Sequence, residues 1–76
     1  MSKPQIFSKN IHINDFVEWE LEWFRKECNF SDDELTYFNL RAKNKSNVQI
    51  ALEMNVSEAK VSVLAKRVKT KIKRVV

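Results

Sequence analysis

The clearest pattern of apolar positions lies in the last third of the chain. Five apolar residues recur there at intervals of three and four: Val61, Leu64, Val68, Ile72 and Val75. That spacing places them on one face of an α-helix. Lysine and arginine occupy many of the positions between them. The pattern predicts an amphipathic helix over residues 58–74, with its apolar face in a core.

A second apolar stripe lies nearer the N-terminus and consists of Val17, Leu21, Phe24 and Cys28. It predicts a first helix over residues 14–28, with Asn14 as the N-cap. Cys28 on this stripe is expected to be a small buried apolar residue. We expect residues 1–13 to form an irregular arm and residues 14–76 to form one helical domain.

Two capping boxes predict the helices between these stripes. Ser31 and Glu34 have S-x-x-E spacing, and Ser46 and Gln49 have S-x-x-Q spacing. The two boxes predict helices over residues 31–43 and 47–54. The first of these helices is expected to bury Leu35, Phe38 and Ala42, with parts of Tyr37 and Leu40. The sequence has no glycine, and its one proline is Pro4, so an all-α fold of four helices is expected.

The segment "IALEMNVSEAKV", residues 50–61, predicts a sharp turn between the last two helices. Asn tolerates the left-handed backbone of such a turn better than other residues except glycine, so Asn55 is the predicted corner. The helix before the corner has a small residue, Ala51, where a second helix can cross it. Val56 then supplies an apolar residue in the turn and Ser57 a cap. These features at this spacing predict a helix-turn-helix over residues 47–66.

The stretch from Phe30 to Ile72 resembles the LuxR-type helix-turn-helix and, equally, region 4 of sigma factors. The resemblance rests on the capped "FSDDEL" opening, on "NKSNVQIALEMNVSEAKV", and on the spacing of Leu64 and Ile72. It implies a bacterial or phage DNA-binding domain whose recognition helix begins after Ser57. The chain differs from those families at the corner, which is Asn55. It also differs at Ala59, Ser62 and Val63, where the families often have Arg, Asn, Gln or His.

The charge is divided unevenly along the chain and favours a polyanionic partner. Residues 1–40 have four Lys/Arg and eight Asp/Glu, a net charge of −4. Residues 41–76 have ten Lys/Arg and two Asp/Glu, a net charge of +8. A basic half of this kind suits double-stranded DNA, although a solvated helix face is the simpler interpretation of a charge run alone.

The predicted orientation of the last helix assigns its outward residues to two roles. Those near its N-terminus are the candidate contacts to base edges: Glu58, Ala59, Ser62, Val63 and Lys66. The others, with the start of the third helix, are candidate phosphate contacts: Ser46, Asn47, Lys60, Arg67, Lys69, Thr70, Lys73 and Arg74. Modest direct readout of sequence is expected, because no Arg, Asn or Gln is among the candidate base contacts.

Three aromatic residues form a separate stripe on the first predicted helix: Phe16, Trp19 and Trp23. One interpretation places them in the core. The other makes them a protein interface, either a homodimer contact or a site for a partner such as RNA polymerase. The second interpretation leaves open an alternative function, in which the acidic, aromatic first helix makes this a protein-interaction module.

Other classes of function are not expected. His12 is the only histidine, and no glycine-rich phosphate loop, metal-ligand spacing or nucleophile–base pair is present, so neither an enzyme nor a bound cofactor or metal is predicted. No small-molecule ligand is evident. One cysteine permits no internal disulfide, and no apolar run is long enough to span a bilayer, so a cytoplasmic location is expected.

Overall fold

The computed structural model describes Pro4 and residues 11–76, and in these residues the chain is helical without strands. A single 3₁₀ turn, Ile13–Asp15, precedes four α-helices. The helices are α1 (Glu18–Glu27), α2 (Asp32–Ala42), α3 (Asn47–Met54) and α4 (Glu58–Val75). The predicted all-α class with four helices is confirmed. In the part of the chain described, no helix is both long and apolar enough to cross a membrane.

The first helix begins four residues later than predicted, and Asn14 does not cap it. Val17 is the N-cap residue of α1, and its N–H donates to Glu20 Oε1 at 2.9 Å. The Asn14 side chain instead donates to Asn44 Oδ1 at 3.2 Å, at the distant turn between α2 and α3. Because Val17 lies before the helix, it is 54% exposed and is not part of the apolar stripe.

Both predicted capping boxes are present and fix where α2 and α3 begin. The N–H of Ser31 donates to Glu34 Oε1 at 2.9 Å, and the N–H of Glu34 donates to Ser31 Oγ at 3.4 Å. Ser46 and Gln49 make the same reciprocal pair at 2.9 and 3.2 Å. These bonds satisfy N–H groups that the first turn of a helix leaves without partners.

Asparagine occupies a left-handed position in each of the three turns between helices. Asn29, Asn44 and Asn55 have φ values of 53°, 64° and 57°. The prediction for Asn55 is confirmed, with ψ at 47°. Asn29 and Asn44 were not predicted as corners. Asparagine supplies these positions because its short polar side chain tolerates a backbone that most residues avoid.

Substitution of Asn55 tests the corner. Asn55→Gly is expected to be neutral or stabilising, whereas Asn55→Val should lower the free energy of unfolding by about 1–2 kcal/mol. The reason is that a β-branched residue clashes with its own backbone at positive φ. Urea denaturation of the two variants and the wild type measures the difference. Equal stabilities of the Gly and Val variants would contradict the assignment.

The core lies where α2 and α3 pack on the apolar face of α4, and buried residues of α1 complete it. Val61, Leu64, Val68 and Ile72 are buried as predicted, and Val75 is half-buried. The other helices contribute Leu21, Phe24, Cys28, Tyr37, Phe38, Ile50 and Ala51. Two residues outside the predicted helical domain, or at its edge, are also buried: Ile11 at 4% and Ile13 at 1% exposure. The end of the arm is therefore part of the core.

The buried face of α2 differs from the prediction by about one position. Phe38 is buried, but Leu35 and Ala42 are only half-buried, whereas Tyr37 is 2% exposed. Glu34 is 4% exposed and is the one buried charged residue among those described. A carboxylate enters the core edge because Lys71 on α4 reaches it and forms an ion pair with it.

An aromatic cluster surrounds Phe24 at the centre of the core. Phe16 stacks on its ring with centroids 4.9 Å apart, Trp23 meets it edge-on at 5.5 Å, and Phe38 at 6.5 Å. Phe16 and Trp23 are half-buried against the core, whereas Trp19 is 40% exposed. Each interpretation of the aromatic stripe therefore applies to a different part of it. Phe16 and Trp23 contribute to the core, and Trp19 remains accessible to a partner.

Cys28 is buried, as predicted from its position on the stripe. Burial raises the pKa of its thiol from 9.0 to about 11, against the opposing effect of the Lys71 charge. The thiol is therefore protonated at neutral pH, which disfavours nucleophilic chemistry and metal binding.

Candidate nucleic-acid interface

All five candidate base contacts lie on the solvent side of α4. Glu58, Ala59, Ser62, Val63 and Lys66 are each exposed, and Val63 is 43% exposed despite being apolar. They are accessible because the buried stripe turns Val61 and Leu64 inward, which directs the residues between them away from the core. An accessible valine and alanine beside Ser62 and Lys66 form a surface that can contact thymine methyl groups and polar base edges.

The candidate phosphate contacts are accessible with one partial exception. Lys60 is half-buried, and the others are exposed: Ser46, Asn47, Arg67, Lys69, Thr70, Lys73 and Arg74. Two of them have side-chain hydrogen bonds within the chain. Thr70 Oγ1 donates to the carbonyl oxygen of Lys66 at 2.9 Å, and Ser46 Oγ accepts from the N–H of Gln49. The hydroxyl proton of Thr70 is thus already used within α4.

The structure brings part of the two candidate sets together in one groove. Asn47, at the start of α3, lines this α3–α4 groove together with Ser62, Val63, Ala65, Lys66 and Lys69 of α4. Residues predicted to contact bases and residues predicted to contact phosphates are therefore neighbours, as a helix inserted into a DNA groove requires.

Arg67 and Arg74 lie on another side of α4. They line a second groove, the α2–α4 groove, with Glu34, Lys66, Thr70 and Lys71. The Glu34 carboxylate also lines this groove, where it pairs with Lys71, so the unpaired positive charge of the groove comes from Lys66, Arg67 and Arg74. Lys66 borders both grooves, so it lies on the ridge between the two sides of α4.

Most of the positive charge on α4 is not neutralised by the protein itself. Among residues 4 and 11–76, the ion pairs are Arg25–Glu18 at 3.5 Å, Lys45–Glu53 at 3.0 Å, and Lys71–Glu34. Residues 1–10 contain no Asp or Glu that could add to these pairs. Six cations of α4 are consequently without a side-chain carboxylate partner: Lys60, Lys66, Arg67, Lys69, Lys73 and Arg74. Charges of one sign on one helix repel each other, and a polyanion relieves that repulsion.

Lys71 has a structural role instead. Its ammonium donates to Glu34 Oε1 and to the carbonyl oxygen of Asn29, the latter at 3.1 Å. Burial acts to raise the pKa of the Glu34 carboxyl, but the hydrogen bonds from Lys71 and Ser31 outweigh it, and the pKa lies below its ordinary value of 4.5. Glu34 is therefore ionised at neutral pH. The ion pair fastens α4 to the first turn of α2, and the bond to Asn29 fastens it to the turn between α1 and α2.

The N-terminus of α3 presents a smaller set of donors than the sequence suggests. The N–H of Ser46 donates to Gln49 Oε1, and the N–H of Gln49 donates to Ser46 Oγ. The amides at the start of α3 that remain for an external anion are those of Asn47 and Val48. Any phosphate contact by backbone N–H groups falls to these two residues.

Half-buried Arg41 and exposed His12 belong to the same region, but the sequence did not assign them to it. They line a third groove, here called the arm groove, with Asn47 and Lys69, and its buried lining includes Ile11, Ile13 and Tyr37. Burial raises the pKa of the Tyr37 phenol, and the neighbouring Arg41 charge opposes that rise. Residues four positions apart are neighbours on a helix. If Tyr37 had been predicted as buried, the sequence would therefore have placed Arg41 beside it on α2.

No family model, curated protein or solved structure matches this chain.

Proposed function

We propose that this protein binds duplex DNA, with α3, the turn at Asn55 and α4 acting as a helix-turn-helix. In this proposal the N-terminal half of α4 enters the major groove, where Glu58, Ala59, Ser62, Val63 and Lys66 meet base edges. The flanking cations and the start of α3 contact phosphates. The proposed biological role is that of a small bacterial or phage regulator of transcription, of the LuxR-type or sigma region 4-like kind.

The observation that carries the proposal is the unpaired charge of α4. Six of its Lys and Arg side chains have no carboxylate partner, and the acids in the chain are mostly far away in sequence, in the first 40 residues. A solvated surface helix commonly has both signs of charge interspersed. After Glu58, α4 has no acid at all.

The arrangement around the corner adds support. Asn55 makes a left-handed turn of the backbone between α3 and α4, and Ala51 is buried on α3, as close crossing of the two helices requires. Asn47 and the exposed residues of α4 share one groove. A helical hairpin that does not bind DNA could have each of these features. The unpaired charge of α4 is therefore the observation that favours DNA binding over other functions.

Salt-dependent binding to a duplex tests the proposal. If α4 lies in a major groove, we expect contacts to roughly four to six phosphates, and log K should fall against log salt with a slope of about −4 to −5 per protomer. Fluorescence anisotropy of a labelled duplex, selected from randomised sequences, measures the slope. Absence of salt-dependent binding at low salt would overturn the proposal.

Two substitutions separate affinity from sequence preference. Lys73→Ala should weaken binding to all duplexes alike and reduce the salt slope by about one unit, because one phosphate contact is lost. Val63→Ala should instead change the ranking of sites, because Val63 lies among the residues facing base edges. Lys26→Ala, which removes an exposed charge from α1, is the matched control and should change neither quantity. A Lys73→Ala effect confined to one sequence would contradict the assignment.

A protein-interaction function remains the second candidate, and one observation favours it. Trp19 is 40% exposed and Val17 is 54% exposed, at the start of a helix with Glu18 and Glu22 exposed nearby. Tryptophan is among the residues that most often anchor protein interfaces. A homodimer or a contact with the transcription machinery through this face is compatible with DNA binding by α4.

A further inference from the structure

The arm groove has the composition of an anion site. Its polar lining includes Arg41, Asn47, Lys69 and His12, and no Asp or Glu is among the described residues that line it. The α2–α4 groove, in contrast, contains Glu34, paired with Lys71. The arm groove therefore joins Lys69 of α4 to Arg41 of α2, and no carboxylate of the described residues lies between them.

Arg41 is held in position but retains unused donors. The side chain is half-buried, and its NH1 group donates to the carbonyl oxygen of Lys45 at 2.7 Å. No carboxylate lies within ion-pair distance of it among the described residues. A guanidinium has five N–H donors in a planar fork that suits phosphate, and this one is oriented before any ligand arrives.

The other side of the groove adds further positive potential. Lys69 is exposed on α4, and Asn47 is the first residue of α3. The amides of Asn47 and Val48 are not used by the capping box, and they lie at the positive end of the α3 dipole. Arg41 of α2, Lys69 of α4 and Asn47 at the start of α3 thus line one groove.

We propose that the arm groove binds a single phosphate group, held by Arg41, Lys69 and the first amides of α3. We assign this phosphate to the DNA backbone beside the major groove that α4 occupies, and this assignment rests on the proposed function. The buried residues of the arm give this site its third wall, so residues 11–13 form part of the DNA-binding surface.

Substitutions in the groove test the assignment to the DNA backbone. Arg41→Gln retains a donor for the Lys45 carbonyl while removing the charge, and Lys69→Ala changes an exposed residue. Each is expected to weaken binding to all duplexes alike, by roughly 5- to 10-fold near 0.1 M salt, and to reduce the salt slope by about one unit. Lys43→Ala is the matched control, because Lys43 is exposed near Arg41 but lines a different groove, with Glu18 and Arg25. It should leave the slope unchanged.

A titration with inorganic phosphate tests the groove without DNA. At constant ionic strength, phosphate should shift the backbone amide resonances of Asn47, Val48 and His12 in the wild type, and Arg41→Gln should abolish these shifts. Phosphate-dependent shifts together with a reduced salt slope support a backbone-phosphate site. If phosphate shifts these amides but Arg41→Gln does not change duplex binding, the groove is a site for free phosphate and the assignment to the DNA backbone is wrong. If phosphate shifts these amides but the wild type binds no duplex, the proposed function fails while the groove remains a phosphate site. Unchanged amides together with an unchanged slope overturn the inference.

Discussion

Phe24→Ala is expected to lower the free energy of unfolding by about 3–5 kcal/mol, the usual cost of removing a fully buried aromatic ring. Phe24 is 0% exposed and contacts the rings of Phe16, Trp23 and Phe38, so no neighbouring group can fill the cavity without moving. For 76 residues, the total stability is expected to be on the order of 4–11 kcal/mol. The substitution therefore removes a large share of it. Urea denaturation followed by tryptophan fluorescence measures the loss.

Two further variants keep this prediction testable if Phe24→Ala does not fold. Phe24→Leu should cost less, about 1–2 kcal/mol, because much of the volume is retained. Trp19→Ala is the control on the exposed side of α1, and its stability should stay within about 0.5 kcal/mol of the wild type. Sedimentation of the wild type and Trp19→Ala then reports on the aromatic interface. A wild type that stays monomeric at high concentration would exclude the homodimer, and a dimer that Trp19→Ala converts to a folded monomer would support it.

Lys71→Met is expected to lower the free energy of unfolding by about 2–3 kcal/mol at pH 7, because the Glu34 carboxylate would be left buried without its charged partner. The side chain of Glu34 is 5% exposed, whereas that of Lys71 is 27% exposed. Partial solvation of the lysine places the expected loss below that for a fully buried pair. The double variant Lys71→Met with Glu34→Leu should recover part of the loss, since it removes both charges. No recovery in the double variant would show that lost packing, rather than the unpaired carboxylate, causes the effect.

The same pair predicts how stability depends on pH. The pKa of Glu34 in the folded protein lies below its ordinary value of 4.5, so the folded state binds its proton less readily than the unfolded state. The stabilisation is therefore fully present above about pH 4.5 and is lost as the pH falls through the folded pKa. Glu34→Gln should flatten this part of the stability profile. Denaturation curves between pH 7 and pH 3 measure the difference between the variant and the wild type.

The elements that the sequence predicted correctly are specified by neighbouring residues. The two capping boxes, the Asn55 corner and the stripe on α4 each depend on residues within a few positions of each other. Such features act through local hydrogen bonds and helix periodicity, which a sequence displays directly. For the same reason, the outward positions of α4 could be listed from its apolar stripe alone.

The features that the sequence did not reveal depend on distant residues. Asn14 was predicted as the N-cap of α1, but its side chain donates a hydrogen bond to Asn44, thirty residues away, and α1 begins at Glu18. Glu34 was predicted only as a member of a capping box, yet its carboxylate is buried in an ion pair with Lys71. Only the fold shows that Ile11 and Ile13 enter the core and that Arg41 shares a groove with Lys69. Periodicity within one helix contains no information about which side chain another helix will offer.

The asparagine corners also affect the chain before it folds. Glycine at Asn29, Asn44 and Asn55 would meet the same positive φ values without steric cost, but it would widen the set of conformations open to the denatured chain. A side chain at each corner narrows that set, so less backbone entropy is lost when the turns form. For a domain of 76 residues with a small core, part of the stability therefore originates in the unfolded ensemble, at three positions that contribute little to the core.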